Sequence, residues 1–258
     1  MDGNTIVETR QLTKEFKGFL AVNGCSLAVR RGEIHALIGP NGAGKTTFFN
    51  LLTKFLPPTS GRILFKGLDV TAKGASEIAR LGVVRSFQMS AVFPRLTVLE
   101  NVRLGLQRKL RTSFHFWRSA GSLAALDARA MELLATVDLA ELAGSVAVEL
   151  PYGRKRALEI ATTLAADPEL LLLDEPTQGM GREDIERVTA LIKRVSVDRT
   201  VLMVEHNMKV VATIADTITV LQRGQIIASG IYADVSRNPL VIEAYTGTAD
   251  AQLGAAHR

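Results

Sequence analysis

Gly39-Pro40-Asn41-Gly42-Ala43-Gly44-Lys45-Thr46-Thr47 is the stretch that decides the fold. It fits G-x-x-x-x-G-K-[ST], and its setting matters as much as its letters. Ile34 to Ile38 before it is a short apolar run, and Phe48 to Phe55 after it has helical apolar spacing, so the order reads strand, glycine loop, helix. In such a loop the glycines let backbone N–H groups turn inward around phosphate oxygens. The lysine reaches the β and γ phosphates, and the Thr46 hydroxyl is a candidate Mg²⁺ ligand. A glycine-rich turn that happens to carry a lysine is the plainer reading, and the flanking strand and helix argue against it.

Further apolar runs lie on either side. Leu170-Leu171-Leu172-Leu173 ends in Asp174 and Glu175, Thr200 to Val204 leads to His206, and Val83 to Phe87 leads to Gln88. Short runs of this kind are what buried parallel strands look like. Strands alternating with helices argue an open α/β sheet with its site at the strand C-termini. Asp174 is then a Mg²⁺ partner through water, and Glu175 a group that orients or deprotonates an attacking water. His206 and Gln88 are weak signals singly, because a histidine or glutamine after a strand is usually structural. Residues Thr5 to Arg30 alternate like strands. Between Val92 and Leu150 strand signal is sparse and Asp127 to Leu142 has helical spacing, which predicts a helical insertion between two halves of the core.

Bulk properties bound the partners. At 258 residues and 47% hydrophobic content the chain can bury a substantial core. Its net charge of +5 is local: Arg103, Arg108, Lys109, Arg111 and Arg118 lie in a segment without acids, and setting them aside leaves 26 basic residues against 26 acidic ones. A dispersed nucleic-acid surface is not indicated. Cys25 is the only cysteine, so no internal disulfide forms and no cysteine-rich metal site exists. The first ten residues lack the pattern of a signal peptide, and no stretch is long enough to span a bilayer, so the expected place is cytoplasmic, with any membrane attachment through a partner.

One segment is harder to place. Glu149 to Ile160 reads ELPYGRKRALEI and sets Arg154, Lys155 and Arg156 at the start of a helix, where the dipole is already positive. A bound anion would make sense of them; so would long side chains reaching into water.

In order and spacing, GPNGAGKTT, Gln88, LPYGR, LLLLDEP and His206 resemble the ATP-binding cassette ATPases of ABC transporters, over nearly the whole chain. The resemblance implies an α/β fold: a P-loop NTPase core, an N-terminal antiparallel β subdomain and an inserted helical subdomain. One domain would span residues 1–247, with 92–158 helical and carrying the signature, and 248–258 a polar tail. It implies ATP and Mg²⁺ as ligands, the metal held by Thr46, Gln88 and Asp174, with Glu175, His206 and Gln88 serving hydrolysis. Phe16 takes the place of the aromatic that stacks on adenine, with a core phenylalanine as the competing reading. ATP would be held between the loop of one subunit and Pro151, Tyr152, Gly153 and Arg154 of a second cassette, in a homo- or heterodimer.

Within the family, Tyr-Gly in the signature, LEIA after it and the ending Asn238-Pro239-Leu240-Val241-Ile242-Glu243-Ala244-Tyr245-Thr246-Gly247 are similar to cassettes of branched-chain amino-acid uptake. That implies membrane permease subunits, a solute-binding protein and a position on the inner face of the cell membrane, with the helical insertion near the permease. An export cassette, for example for lipid-linked molecules, or a soluble ABC ATPase acting on DNA or ribosomes are the alternatives. A single phosphate loop and an insertion of ordinary length count against the soluble ATPase.

Two departures stand out. The usual Leu-Ser-Gly-Gly-Gln is Leu150-Pro151-Tyr152-Gly153-Arg154 here, so a hydroxyl worth about 1.5–3 kcal/mol to a charged phosphate is gone unless Arg154 replaces it. Gly181 stands where many cassettes carry an aspartate for a contact across the dimer, which leaves that contact in doubt.

Overall fold

Ile34–Ile38, Leu170–Asp174 and Thr200–Val204 are buried at every position, and alternation along them builds two cores. Ala36, Ile38, Leu171, Leu173, Val201 and Met203 face one cluster, made largely with helices. Leu37, Leu170, Leu172, Leu202 and Val204 face the other, shared with the N-terminal strands and the helix after the glycine loop. Successive side chains point to opposite faces, so a strand covered on both faces is largely apolar, and the buried His35 of Ile34–Ile38 is held by Glu33 at 3.0 Å and Thr219 at 2.8 Å.

The structure, a computed structural model, describes residues 4–86, 92–109 and 120–246. β1 (Thr5–Phe16) and β2 (Phe19–Arg30) form an antiparallel hairpin. β3 (Ile34–Ile38) leads through the glycine loop into α1 (Lys45–Leu52). β4 (Ser60–Phe65) and β5 (Leu68–Asp69) return to the hairpin, giving an antiparallel sheet in the order β2-β1-β4-β5. α2 (Ala75–Arg80) and β6 (Val83–Ser86) follow, then α3 (Val98–Lys109), α4 (Ala120–Thr136) and α5 (Tyr152–Leu164).

The chain then alternates: β7 (Leu170–Asp174), α6 (Arg182–Val195), β8 (Thr200–Val204), α7 (Met208–Ile214), β9 (Thr217–Gln222), β10 (Gln225–Gly230), α8 (Tyr232–Val235) and a last helix over residues 239–246. The second sheet runs β10-β9-β3-β8-β7-β6, parallel except at the β10 edge. This is the expected α/β arrangement, with an antiparallel sheet from the N-terminal part and helices inserted between β6 and β7.

Two local differences have physical causes. α1 ends at Leu52 instead of continuing to Phe55, because the Thr53 hydroxyl turns back to the Phe49 carbonyl at 2.8 Å and Lys54 takes a left-handed φ of 60°. The helical spacing from Asp127 to Leu142 is the end of α4 plus a 3₁₀ turn at Ala140–Leu142, interrupted by Asp138 at φ 57°. Among the described residues no helix is long and apolar enough to cross a membrane.

Leu172 sits in the middle of β7 with no exposure. Leu172→Ala should lower fold stability by about 2–5 kcal/mol, because the sheet cannot collapse around the cavity. The denaturant midpoint, at unchanged slope, is the measurement.

Candidate active site

The centre of the second sheet gathers the loop and the acids at one edge. β8 lies between β3 and β7, so the ends of all three strands open at the same place. From β3 the chain turns at Gly39, whose φ of 148° only glycine adopts readily and where an added Cβ would lie 2.1 Å from the Leu221 carbonyl oxygen. Gly44 repeats the constraint at φ 103°, with a Cβ position 2.3 Å from the Ala21 carbonyl oxygen.

Between them Pro40, Asn41, Gly42 and Ala43 carry the loop around, and the Gly224 N–H donates to the Ala43 carbonyl at 2.9 Å. α1 then begins at Lys45 with no acidic residue in its first turn and no side-chain cap, leaving its N–H groups open to an anion. Lys45 is buried, and its ammonium donates to the carbonyls of Gly39 at 2.7 Å and Pro40 at 3.0 Å. Burial holds it below the ordinary lysine range, while the charges of Glu175 and Asp174 pull the other way. Thr46 is exposed and Thr47 half-buried on the first turn.

Asp174 is buried at the end of β7 and ion-paired with Arg85 of β6. Arg85 also donates to Asn50 at 2.6 Å and lies over the Phe49 ring, so α1 helps hold the pair. Glu175 adopts a left-handed φ of 44°, and its N–H donates to the Val204 carbonyl at 2.9 Å. That backbone turn brings Glu175 Oε2 within 3.9 Å of His206 Nδ1, on an imidazole more than half exposed. Lys45, Asp174, Glu175 and His206 are therefore one cluster. Gln88 lies outside the described residues.

The other expected residues sit on separate elements. Phe16 ends β1 opposite Phe19, 42% exposed, which excludes the reading as a core phenylalanine; the Lys14 ammonium lies 5.1 Å from its ring. Pro151 caps α5, where its missing N–H costs little. Tyr152 is exposed and donates its hydroxyl to the Gln178 carbonyl at 3.2 Å. Gly153 is buried so close to Asp184 that a Cβ would lie 2.5 Å from a carboxylate oxygen.

The three cations part company. Arg154 donates to the Asp138 carbonyl, on the strained turn after α4. Lys155 is half-buried. Arg156 turns inward, donating to Glu159 at 2.7 Å and to the Asp174 carbonyl at 3.1 Å. Burial raises the Glu159 carboxyl even with that guanidinium beside it.

Sequence reasoning passed over Arg85 and Glu205, and it read Arg156 as anion-binding or solvated where the side chain is an internal one. Glu205 had a readable signal: like Asp174, it is an acid directly after a run of apolar strand residues.

A model described as ABC transporter matches residues 22–178, and one described as Branched-chain amino acid ATP-binding cassette transporter matches residues 225–251. The high-affinity branched-chain amino acid transport ATP-binding protein BraF of Pseudomonas aeruginosa is 40% identical over 95% of this chain and 98% of its own length. The corresponding LivG protein of Escherichia coli is also 40% identical, over 95% and 98%.

Among solved structures, the ADP conformation of MJ1267, an ATP-binding cassette of an ABC transporter, superposes with a TM-score of 0.84 at 30% identity, covering 94% of this chain and 99% of that one. The dimeric post-hydrolysis state of the cassette MJ0796 bound to ADP and Pi gives 0.73 at 25% identity, covering 88% and 98%. With the motifs, the fold and both relatives agreeing along almost its entire length, the chain belongs to the ATP-binding cassette family of ABC transporters.

Proposed function

We propose that the chain is the ATP-hydrolysing subunit of an ABC importer for branched-chain amino acids or related small hydrophobic solutes, and that it works as one of a pair of cassettes. The observation that carries the reading is the convergence of Lys45, Asp174, Glu175 and His206 at the end of the central strands. The match of the C-terminal segment to the branched-chain model and the branched-chain amino acid transport in the relatives' names supply the solute class.

The residues present fit a nucleotide with Mg²⁺. The loop offers open N–H groups and an ammonium for phosphates, and the Thr46 hydroxyl with the Asp174 carboxylate is the hard-oxygen donor set that Mg²⁺ takes. Asp174 already holds a cation, the Arg85 guanidinium. Gln88 is the third proposed ligand. When bound, the metal neutralises charge on the β and γ phosphates.

Loading asks two exchanges of this chain. Lys45 leaves the carbonyls of Gly39 and Pro40 for phosphate oxygens, and Asp174 loosens its hold on Arg85. Glu175 accepts a proton from the attacking water, and His206 donates a hydrogen bond to the γ-phosphate. Phe16 stacks on the base. Pro151, Tyr152, Gly153 and Arg154 complete the partner cassette's nucleotide site.

The proposed unit is residues 1–247, with 92–158 as its helical part and the polar tail outside it. A groove of about 590 Å³ between α2, β6, α3 and α5, with exposed Phe55, Phe93 and Leu104 on its walls, is the proposed seat for a cytoplasmic segment of the permease. This would hold the cassette on the inner face of the membrane. Of the basic patch, Arg103 is paired with Asp127 at 2.5 Å, and Arg111 and Arg118 lie outside the described residues. A solute-binding protein would complete the system.

The test is to purify the chain together with any permease subunits that accompany it, reconstitute the complex and follow ATP-dependent uptake of labelled leucine. Uptake that requires Lys45 is expected; export or no association with permeases would overturn the reading. In the same preparation Arg154→Gln should reduce ATPase activity about 10-fold, the value of one hydrogen bond to a charged phosphate. Unchanged turnover and nucleotide affinity would leave the Asp138 contact as the whole role of Arg154.

A further inference from the structure

Glu205 has no solvent exposure, and its donors have an unusual distribution. Oε1 accepts from the Thr177 N–H at 3.1 Å and from the Thr177 hydroxyl. Oε2 accepts from the N–H groups of His206 at 2.9 Å and Asn207 at 3.0 Å. Each oxygen therefore serves one loop: Oε1 the loop that follows Glu175, Oε2 the loop that carries His206. A carboxylate removed from water is costly unless its lone pairs are filled, and here four donors fill them. None of the four comes from the strands themselves, so the charge is spent on joining the two loops.

We propose that Glu205 is a positioning residue of the hydrolysis site: its buried carboxylate clamps the loop after Glu175 to the loop of His206 and so sets the approach of those two side chains. The inference rests on the reading of Glu175 and His206 given above. Two further features fit it. Glu175 holds a left-handed backbone, a strained conformation that persists only where its surroundings over-determine it, and the anchor at Thr177 is two residues away. Asn207, held by Oε2 through its N–H, uses its own side chain to accept from the Lys209 and Val210 N–H groups, so the clamp continues into α7.

Glu205→Gln is the decisive variant. A carboxamide keeps size and shape but has one acceptor oxygen, so one loop retains its bonds and the other meets N–H against N–H. In the assembled transporter kcat should fall about 10- to 100-fold, the scale of an ångström-sized misplacement, with nucleotide affinity unchanged. Thr177→Val, which removes the hydroxyl and keeps the N–H bond, should give a smaller fall in kcat.

Clamping also predicts non-additivity: in a His206→Ala background Glu205→Gln should cost much less than in the parent. A normal kcat in Glu205→Gln, or a loss equal in both backgrounds, would overturn the inference and leave Glu205 as a purely structural acid. If Glu175→Gln kept full turnover, the reading of the site itself would fail instead, so the two failures are distinguishable.

Discussion

Glutamine in place of Glu175 should lower ATP turnover by about 10²- to 10⁴-fold, the contribution of a positioned general base, while ATP still binds. The substitution preserves volume and leaves the backbone undisturbed, since the left-handed turn at Glu175 is fixed by its own N–H on the Val204 carbonyl and the side chain is only partly exposed. What is lost is the ability to take a proton. Lys45, the loop N–H groups and Asp174 are untouched, so nucleotide should accumulate in an unhydrolysed complex and favour the closed pair of cassettes. Phosphate release, bound nucleotide and the sedimentation of the pair, measured together, check it. Turnover at the parental rate would show that Glu175 is not the base.

The second large effect is expected at Gly39. Alanine there would place a Cβ 2.1 Å from the Leu221 carbonyl oxygen, on a backbone whose φ of 148° side chains avoid. The clash is with backbone of β9, the neighbouring strand, so a rotamer change cannot relieve it. Gly39→Ala should therefore lose at least about 2–3 kcal/mol of stability from backbone strain alone, and nucleotide binding with it. Gly42→Ala is the control: φ is 76°, but nothing lies within 4 Å of the added carbon. It should cost about 1–2 kcal/mol for the left-handed backbone and leave the loop's path intact. Unfolding midpoints and nucleotide titrations of the two variants separate a steric requirement from a merely conformational one.

What was legible in the sequence is what periodicity and punctuation encode. Ile34–Ile38 and Thr200–Val204 coincide with β3 and β8 residue for residue, and β7 runs one residue past Leu173 to include Asp174. Strands covered on both faces favour near-continuous apolar runs, which tolerate the buried His35 and Thr200. The end of α1 was misplaced because Phe55 keeps the apolar spacing although the backbone has already turned at Lys54.

Charges were the least legible. Arg85 and Asp174 are 89 positions apart, Thr177 and Glu205 28, and no local pattern joins such pairs. A sequence reading assigns lone Arg and Glu residues to the surface by default, which is right for most of them. The run Arg154-Lys155-Arg156, open in the sequence to an anion or to water, meets neither at Arg156, which is an internal strut between α5 and the end of β7.

The Arg85–Asp174 pair has a consequence for how the chain is made. A carboxylate sealed at the end of a central strand, with nothing positive beside it, would resist completion of the sheet. With the guanidinium supplied by the adjacent strand β6, the newly synthesised chain carries its own counter-ion and can mature before any nucleotide reaches it. The fold thus brings its own cation to that strand end, so closing the sheet does not wait on one from solution.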